Sequence, residues 1–307
     1  MSGARAMPKA GGDVALRARI VEAAERIDAW SRQRWIGRRA RTVYRVLPAA
    51  TAIVGVIFVV GGAIIAFKGG DPYAYWTYRL DADPYAAPAN SWGSISLSHQ
   101  YPPVFAQVIG PLQLLPYPAF HAVWTLIAYS ALIAIVGIRW AGLAVLVVPG
   151  LAFEMGAPNV TMLLGLAAVF GRRVPALWAI PLLTKVTPGV GVLWFVVRRE
   201  WRGLAVAVGV AGVLAAISFL TASRSWEDWI AWLWAQHLPV LSDVPGLWVP
   251  VWPRMTLAAA LVIVAGATTR PWLLPLAMWA AMPVPWNQVF WMASALSIRL
   301  WWLAGRT

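Results

Sequence analysis

The feature that most constrains the fold is an uninterrupted apolar run at residues 47–67, LPAATAIVGVIFVVGGAIIAF, which contains no charged side chain. A run of this length can cross the roughly 30 Å hydrocarbon core of a bilayer as one helix. Similar runs recur along a chain in which 60% of residues are hydrophobic and only 12% are charged. Because backbone groups in lipid must be satisfied internally, we expect an all-α, polytopic integral membrane helical bundle. We divide it into a cytoplasmic basic amphipathic segment, residues 1–46, and a single transmembrane domain, residues 47–307.

The positive charges are distributed in a way that indicates topology. Residues 1–46 hold eleven Lys and Arg against four acids, and most later basic residues separate the apolar runs. Cytoplasmic loops have this distribution, so both termini should be cytoplasmic. The net charge of +13 does not by itself indicate a nucleic-acid partner. We expect none, because no basic and aromatic nucleic-acid-binding module accompanies the charge. Residues 13–35 should form an amphipathic helix on the anionic inner leaflet, or else a basic tail that only enforces topology.

Spans placed between the basic clusters give about ten crossings, some of them in short hairpins. The first span should cover about 47–67, and two later spans should cover about 203–221 and 249–269. Three intervals begin and end at cytoplasmic basic groups and should each form a hairpin: 140–171, 174–197 and 271–304. Their breaks are expected where Pro or Gly interrupts the apolar run, at EMGAPN, TKVTPG and PVPWNQ. The proline-rich stretch YPPVFAQVIGPLQLLPYPAF cannot be one straight helix for the same reason.

The acidic residues collect on the opposite, outer side. Seven of the twelve acids fall in outer loops or at outer helix breaks: Asp71, Asp81, Asp83, Glu154, Glu227, Asp228 and Asp243. We expect outer loops at 68–103 and 222–248, and SWEDWIAWLWAQHL in the second is typical of an amphipathic helix on the outer leaflet. Most of the 21 tryptophans should anchor the protein at the membrane interface. Any chemistry should therefore lie on the outer face, and without cysteine it must use carboxylates, histidines or basic groups.

Several sequence elements, taken in order, resemble a known family. An acid beyond the first span is followed by DPY, by QYPP at the start of the next segment, by GAPNVTMLLGLAAVF and by LLTKVTPGVGVLWFVVRREWRG. This order is similar to that of the GT-C superfamily of polyprenyl-phosphate-sugar-dependent glycosyltransferases, and most of all to glycosyltransferase family 87, the mannosyltransferase-like group. The resemblance covers about residues 45–205 and extends weakly over the rest. The Gly-Gln that usually precedes the Asn in this family is replaced here by GAPN.

The resemblance implies a GT-C-like bundle that moves a mannose-like hexose from a polyprenyl phosphate sugar to a hydroxyl of a lipid or glycan acceptor on the outer face. A carboxylate can take the hydroxyl proton as the new bond forms, in a direct displacement with inversion. Asp71 is the candidate base because it lies at the mouth of the first span, where a helix end should hold it. The alternative is an interfacial acid that caps a turn before Pro72. The expected acceptor-binding residues are Asp81, Asp83, Tyr85, Tyr101 and Asn159, although the two acids are also typical of turns.

The departing phosphate needs positive charge. Lys185 stands alone in an apolar stretch, where a central charge costs on the order of 3 kcal/mol on insertion scales. We expect it to face the donor phosphate, or alternatively to pair with Glu154 or to reach the inner surface. Further candidates for phosphate binding, each equally typical of an interfacial anchor, are Arg79, Arg254 and His99. No cofactor and no metal are expected, since His237 and Asp243 offer only two possible ligands.

Two other classes of function fit parts of the pattern. Broken helices and an intramembrane lysine also occur in secondary transporters, or in flippases of lipids or small molecules. Against this class, no internal repeat relates the two halves of the chain. A non-catalytic membrane scaffold of a glycan assembly system is the third possibility. In every case we expect a multi-pass protein of a cell membrane, the bacterial plasma membrane, in contact with membrane lipids.

Overall fold

Helices account for all the regular structure in the part of the chain that the computed structural model describes. That part comprises residues 22, 35–66, 68, 70–78, 85, 101–236, 249–283 and 286–304. Its α-helices, in chain order, are α1 (Trp35–Ile65), α2 (Asp71–Thr77), α3 (Pro103–Gln113), α4 (Tyr117–Val136), α5 (Ala141–Val147), α6 (Leu151–Gly156), α7 (Thr161–Phe170), α8 (Ala179–Leu182), α9 (Leu193–Arg198), α10 (Trp201–Thr221), α11 (Ser223–Gln236), α12 (Val251–Ala267), α13 (Leu274–Ala280) and α14 (Asn287–Ala304). Short 3₁₀ helices cover Pro175–Trp178, Thr187–Val192 and Pro271–Leu273. The predicted all-α fold is confirmed, whereas the helix predicted over 13–35 lies almost entirely outside the described residues.

Among the described residues, three helices are long and apolar enough to cross a membrane: α4, α10 and the part of α1 from Thr42 to Ile65. They differ in how far the rest of the protein covers them. In α4, 50% of the most hydrophobic stretch is buried, against 11% in α1 and 17% in α10. α4 therefore lies inside the bundle, while α1 and α10 leave most of their apolar side chains on the surface, as lipid-facing helices do. Other apolar helices in the described ranges are shorter, so the count of about ten crossings stays a prediction.

The first long helix ends before the residue that we expected it to hold. α1 stops one residue before Ala66, whose positive φ of 42° turns the chain. Asp71 does not lie at the end of this helix but is the first residue of the separate helix α2. Gly70 takes an extended N-cap conformation, and Pro72 lies in the first turn, where a missing N–H costs nothing. The region predicted as the loop 68–103 therefore contains a short helix near its start.

The helix breaks predicted from Pro and Gly are confirmed. The proline-rich stretch forms two helices, α3 and α4, separated at residues 114–116. The three intervals predicted as hairpins break between α6 and α7, between α8 and the 3₁₀ helix Thr187–Val192, and between α13 and α14. α10, α11 and α12 correspond to the two predicted later spans and to the amphipathic helix of the second outer loop. Local Pro and Gly chemistry thus locates these breaks, whereas the break between α5 and α6 was not predicted.

Two glycines of α1 let its backbone approach α4 closely. A Cβ at Gly55 would come within 2.6 Å of the Tyr129 ring, and one at Gly62 within 2.6 Å of the His121 ring. The Tyr129 hydroxyl then donates to the Thr51 carbonyl of α1 at 2.6 Å. Small residues at such contacts are typical of helices packed within membranes. The packing fixes His121, which also contacts the helix break that carries the candidate site.

Candidate active site

Asp71 lies in a cluster of polar side chains gathered from four separate segments. It is partly buried at the start of α2. Its Oδ2 accepts a hydrogen bond from Nδ2 of Asn159, which is 88 residues away in the chain, at 2.9 Å. Asn159 belongs to the break between α6 and α7, within the quoted stretch GAPN. The structure therefore brings together the candidate base and one of the residues predicted to bind the acceptor.

The amide oxygen of Asn159 is surrounded by donors. Its Oδ1 lies 3.1 Å from the Tyr75 hydroxyl and 3.2 Å from the Tyr101 hydroxyl. The backbone N–H of Val160 donates to the same oxygen at 2.6 Å. The two hydroxyl oxygens are also 2.7 Å apart. Because each hydroxyl has a single proton, one tyrosine donates to the other when that second tyrosine donates to Oδ1. Asn159 is thus held from both sides of its amide.

Aromatic rings enclose this polar group. The rings of Tyr75 and Tyr101 meet edge to face with centroids 5.2 Å apart. The ring centroid of Phe105 in α3 lies 4.6 Å from that of Tyr101, and the ring centroid of Trp124 in α4 lies 5.5 Å from that of Tyr75. Edge-to-face pairs at such distances stabilise by about 1 kcal/mol beyond their buried area. The hydroxyls therefore project from a rigid apolar wall and not from a mobile loop.

The helix break that carries Asn159 is held in place by α4. Trp124 donates its ring N–H to the Pro158 carbonyl at 2.9 Å. Nε2 of His121 lies 3.1 Å from the Gly156 carbonyl and must donate to it, which leaves Nδ1 to accept from the Thr125 hydroxyl at 3.3 Å. These bonds satisfy carbonyls that the end of α6 would otherwise leave unpaired.

Glu154 lies near the end of α6, just before the break, and is only 3% exposed. Its Oε1 accepts the backbone N–H of Asn159 at 3.2 Å. A buried carboxylate is costly unless donors or a cation compensate it. The cation in electrostatic range is Lys185, which interacts with both Glu154 and Asp71.

Lys185 provides the positive charge of the cluster. Its ammonium lies 6.0 Å from the centroid of the Tyr101 ring. In the described part of the chain this ammonium makes no hydrogen bond or ion pair within 4 Å, so its charge is offset only at longer range by the two acids. Both carboxylates and the ammonium thus lie around the tyrosine pair.

Burial raises the pKa of the Asp71 carboxyl above its ordinary value of 3.8. The ammonium of Lys185 and the amide of Asn159 oppose this rise, because both favour the charged carboxylate. A carboxylate whose pKa is raised in this way is a stronger base than an exposed aspartate.

Among the described residues, no group of three or more His, Cys, Asp or Glu could hold a metal ion. The cluster as it stands offers a carboxylate to accept a proton, a cation to face an anion and polar groups that hold the carboxylate in place. These are the elements that acid–base group transfer needs.

Comparison of the sequence with known proteins identifies its family. The profile of glycosyltransferase family 87 matches residues 99–307, more than half of the chain. The chain belongs to glycosyltransferase family 87. Tyr101, Asn159 and Lys185 lie inside the region that the family 87 profile matches, and Asp71 lies before it. The match extends over the second half of the chain, where the resemblance read from the sequence is weak.

A curated relative gives a more specific comparison. The polyprenol-phosphate-mannose-dependent alpha-(1-2)-phosphatidylinositol mannoside mannosyltransferase of Mycobacterium tuberculosis is 25% identical to this chain. The match covers 57% of this chain and 53% of the relative, so the chain spans about half the length of the relative. No solved structure matches the chain.

The other predicted site residues of this family 87 protein are placed differently. Tyr85 is buried, and its hydroxyl donates to the Tyr101 carbonyl at 2.8 Å, so it packs against the cluster. Arg254 is buried and its guanidinium donates to the backbone carbonyls of Val249, Ala280, Met282 and Pro283. No contact joins Arg254 to the Asp71 cluster within the described residues. The remaining candidates lie outside the described residues: Arg79, Asp81, Asp83 and His99.

Two residues of the cluster were not among the predicted site residues. Tyr75 follows Asp71 by four residues, so both lie on one face of α2, and the helical spacing within DPYAYWTY is the signal that could have found it. Glu154 was assigned to an outer helix break and considered as a partner of Lys185. Nothing in the sequence spacing indicates that the Glu154 carboxylate accepts the backbone N–H of Asn159, five residues later.

Proposed function

We propose that this family 87 protein transfers a mannose-like hexose from a polyprenyl phosphate sugar to a hydroxyl of a lipid or glycan acceptor at the outer membrane face. The observation that carries the proposal is that one cluster contains a held carboxylate, Asp71, and an ammonium, Lys185, which interact electrostatically. The match to a polyprenol-phosphate-mannose-dependent relative supports the choice of donor and sugar. Membership of a glycosyltransferase family favours transfer over transport or scaffolding.

In the proposed reaction, Asp71 accepts the proton of the acceptor hydroxyl while the oxygen of that hydroxyl attacks the anomeric carbon of the donor sugar. The bond between the anomeric carbon and the phosphate oxygen breaks, and polyprenyl phosphate leaves with the electron pair. The displacement inverts the anomeric configuration. The leaving phosphate needs no proton, and the ammonium of Lys185 stabilises the negative charge that develops on it. No metal is required in this scheme.

The residue that tests the proposal is Asp71. Asp71→Asn keeps the size of the side chain but cannot accept a proton, so transfer should fall by about 100-fold or more. The measurement is the transfer of radiolabelled mannose from polyprenyl phosphate mannose by purified protein. Donor affinity should be nearly unchanged, because the substitution removes a base and not the cation.

The matched control is Glu227→Gln, which neutralises an exposed acid of α11. This variant should transfer sugar at close to the parental rate. Transfer by folded, monodisperse Asp71→Asn protein at the parental rate would overturn the assignment of Asp71. The base would then be sought among Asp81, Asp83 and Asp243.

A further inference from the structure

The amide of Asn159 can take only one orientation in the structure. Val160 N–H, a group that can only donate, points at Oδ1 from 2.6 Å. The two tyrosine hydroxyls reach the same oxygen. If the amide were rotated by half a turn, Nδ2 would face the Val160 N–H and Oδ1 would face the carboxylate of Asp71. Both contacts would be repulsive, so the amide nitrogen must face Asp71.

This orientation leaves Asn159 little capacity to bind a substrate. Its oxygen already has three donors around it, and one amide hydrogen is used on Oδ2 of Asp71. The side chain is only 8% exposed. A residue that bound the acceptor hydroxyl would need a free donor or acceptor that the acceptor could reach. The hydrogen bonds of Asn159 instead connect the tyrosine pair to the carboxylate.

We infer that Asn159 is a positioning residue for the Asp71 carboxylate, and that the hydroxyls of Tyr75 and Tyr101 fix the amide in the orientation that this task requires. The inference rests on the proposed function, in which Asp71 is the base. It replaces the expectation that Asn159 and Tyr101 bind the acceptor. With Oδ2 engaged by the amide, Oδ1 is the carboxylate oxygen to which no described side chain donates, and it is therefore the oxygen that meets the acceptor hydroxyl.

The surroundings keep this arrangement rigid. The Asn159 backbone N–H is held by Glu154, and the carbonyls of the preceding break by His121 and Trp124. A positioned base needs such support, since a misplacement of about 1 Å can cost roughly 100-fold in rate.

Asn159→Asp tests the inference. The new side chain has the same shape, and an oxygen still accepts from the tyrosines and from Val160, so the fold should be kept. The second oxygen replaces the amide nitrogen, so two carboxyl groups meet at this distance and share one proton, which leaves Asp71 less able to accept the proton of the acceptor hydroxyl. We expect kcat to fall by about 100-fold while the KM for the acceptor changes less than twofold. An acceptor-binding role predicts the reverse, a raised KM with kcat retained.

The pH profile gives a second readout, which loss of an acceptor contact would not move. The amide of Asn159 lowers the pKa of Asp71, so its loss should shift the acidic limb of the rate profile to higher pH. The other groups that act on Asp71 remain unchanged in the variant: Lys185, Glu154, Tyr75 and Tyr101.

The double variant Tyr75→Phe/Tyr101→Phe decides the question if Asn159→Asp does not fold. Of the described donors to Oδ1, Val160 N–H would then remain, and kcat should fall about tenfold with acceptor KM unchanged. The matched control is Tyr129→Phe, which removes a hydroxyl that donates to Thr51, away from the cluster. It should leave kcat within about twofold of the parent.

The possible failures are distinguishable. An inactive Asp71→Asn together with Asn159→Asp at parental kcat, or with an effect only on acceptor KM, would overturn the positioning role and keep the proposed function. A fully active Asp71→Asn would overturn the proposed function itself.

Discussion

At the scale of single residues, two cations of this protein, the buried Arg254 and the half-buried Lys185, have different surroundings. Arg254 donates to three backbone carbonyls around the break between α13 and α14 and to the Val249 carbonyl before α12, so its charge is already used to hold these segments. Lys185 has acids and the face of Tyr101 in its vicinity and no hydrogen-bond partner in the described residues. This contrast favours Lys185 over Arg254 as the cation that meets the donor phosphate, and a structural role for Arg254.

Lys185→Met should greatly reduce transfer while the protein stays folded, because the departing phosphate loses the cation that stabilises it. We expect a loss of about 100-fold in kcat, the usual effect of removing one preorganised charge or donor. Lys185→Arg should recover only part of the rate, since the guanidinium has another shape and hydration. The measurement is the radiolabelled transfer assay with purified protein.

Lys68→Met is the control for this experiment. Lys68 is exposed near the start of the predicted first outer loop, so losing its charge should change the rate little. Near-normal transfer by Lys185→Met would leave a structural role for the lysine and would require another cation for the phosphate.

At the scale of elements, the strained turn after Lys185 is the unusual feature of the second hairpin. Val186 has φ 50° and ψ −61°, and the Thr187 N–H donates to the Lys185 carbonyl at 2.6 Å. This is the geometry of a γ-turn of the rare, strained kind. A β-branched residue at positive φ is an outlier, and such strain costs roughly 1–3 kcal/mol. Strained backbone next to the proposed phosphate-binding lysine suggests that the turn orients its ammonium.

Val186→Gly should separate the strain from the function. Glycine adopts positive φ freely, and the loss of strain should outweigh its entropic cost of about 0.5–1 kcal/mol, so thermal stability should hold or rise. The looser turn would no longer fix Lys185, so transfer should fall by about tenfold. Thermal unfolding in detergent and the transfer assay measure the two effects.

Thr269→Gly is the matched control for the turn. Thr269 is also β-branched, has φ 56° and lies exposed after α12, away from the Asp71 cluster. It should gain or keep stability in the same way without any loss of transfer. Full activity in Val186→Gly would show that the turn does not orient the lysine, and a marked loss of its stability would argue against the strain.

The features that could be predicted from the sequence are those that depend on residues close together in the chain. The apolar runs, and the breaks at EMGAPN, TKVTPG and PVPWNQ, depend on neighbouring residues, and the structure has them where the pattern indicates. The hydrogen bond between Asp71 and Asn159 depends on packing between segments 88 residues apart. Single-sequence patterns carry no record of that packing, so both residues were predicted for the site but not as partners. The start of α2 at Asp71 does have a local signal, a Gly before Asp-Pro, but the same residues are also typical of a loop, which is what we predicted.

At the scale of the whole molecule, the lipid-facing surfaces constrain how the protein sits in the membrane. α1 and α10 expose most of their apolar residues, and α4 is covered. Trp201 at the start of α10 and Trp252 at the start of α12 are 58% and 78% exposed. Exposed tryptophans at helix ends are typical of anchors at the two membrane interfaces. In the predicted topology these two starts lie on opposite sides, with α12 beginning on the same side as Asp71.

The predicted orientation can be tested by labelling single cysteines in intact cells, and the protein has no native cysteine that would interfere. Cysteines at Ser94 and Ser242, in the two predicted outer loops, should react with an impermeant thiol reagent from outside. One at Ser2 should react only after the membrane is opened, because basic segments remain on the cytoplasmic side. The three positions lie outside the described residues, so this expectation comes from the charge pattern. The reverse labelling pattern would place Asp71 on the cytoplasmic face, and a sugar donor and acceptor would then have to be presented from the cytoplasm.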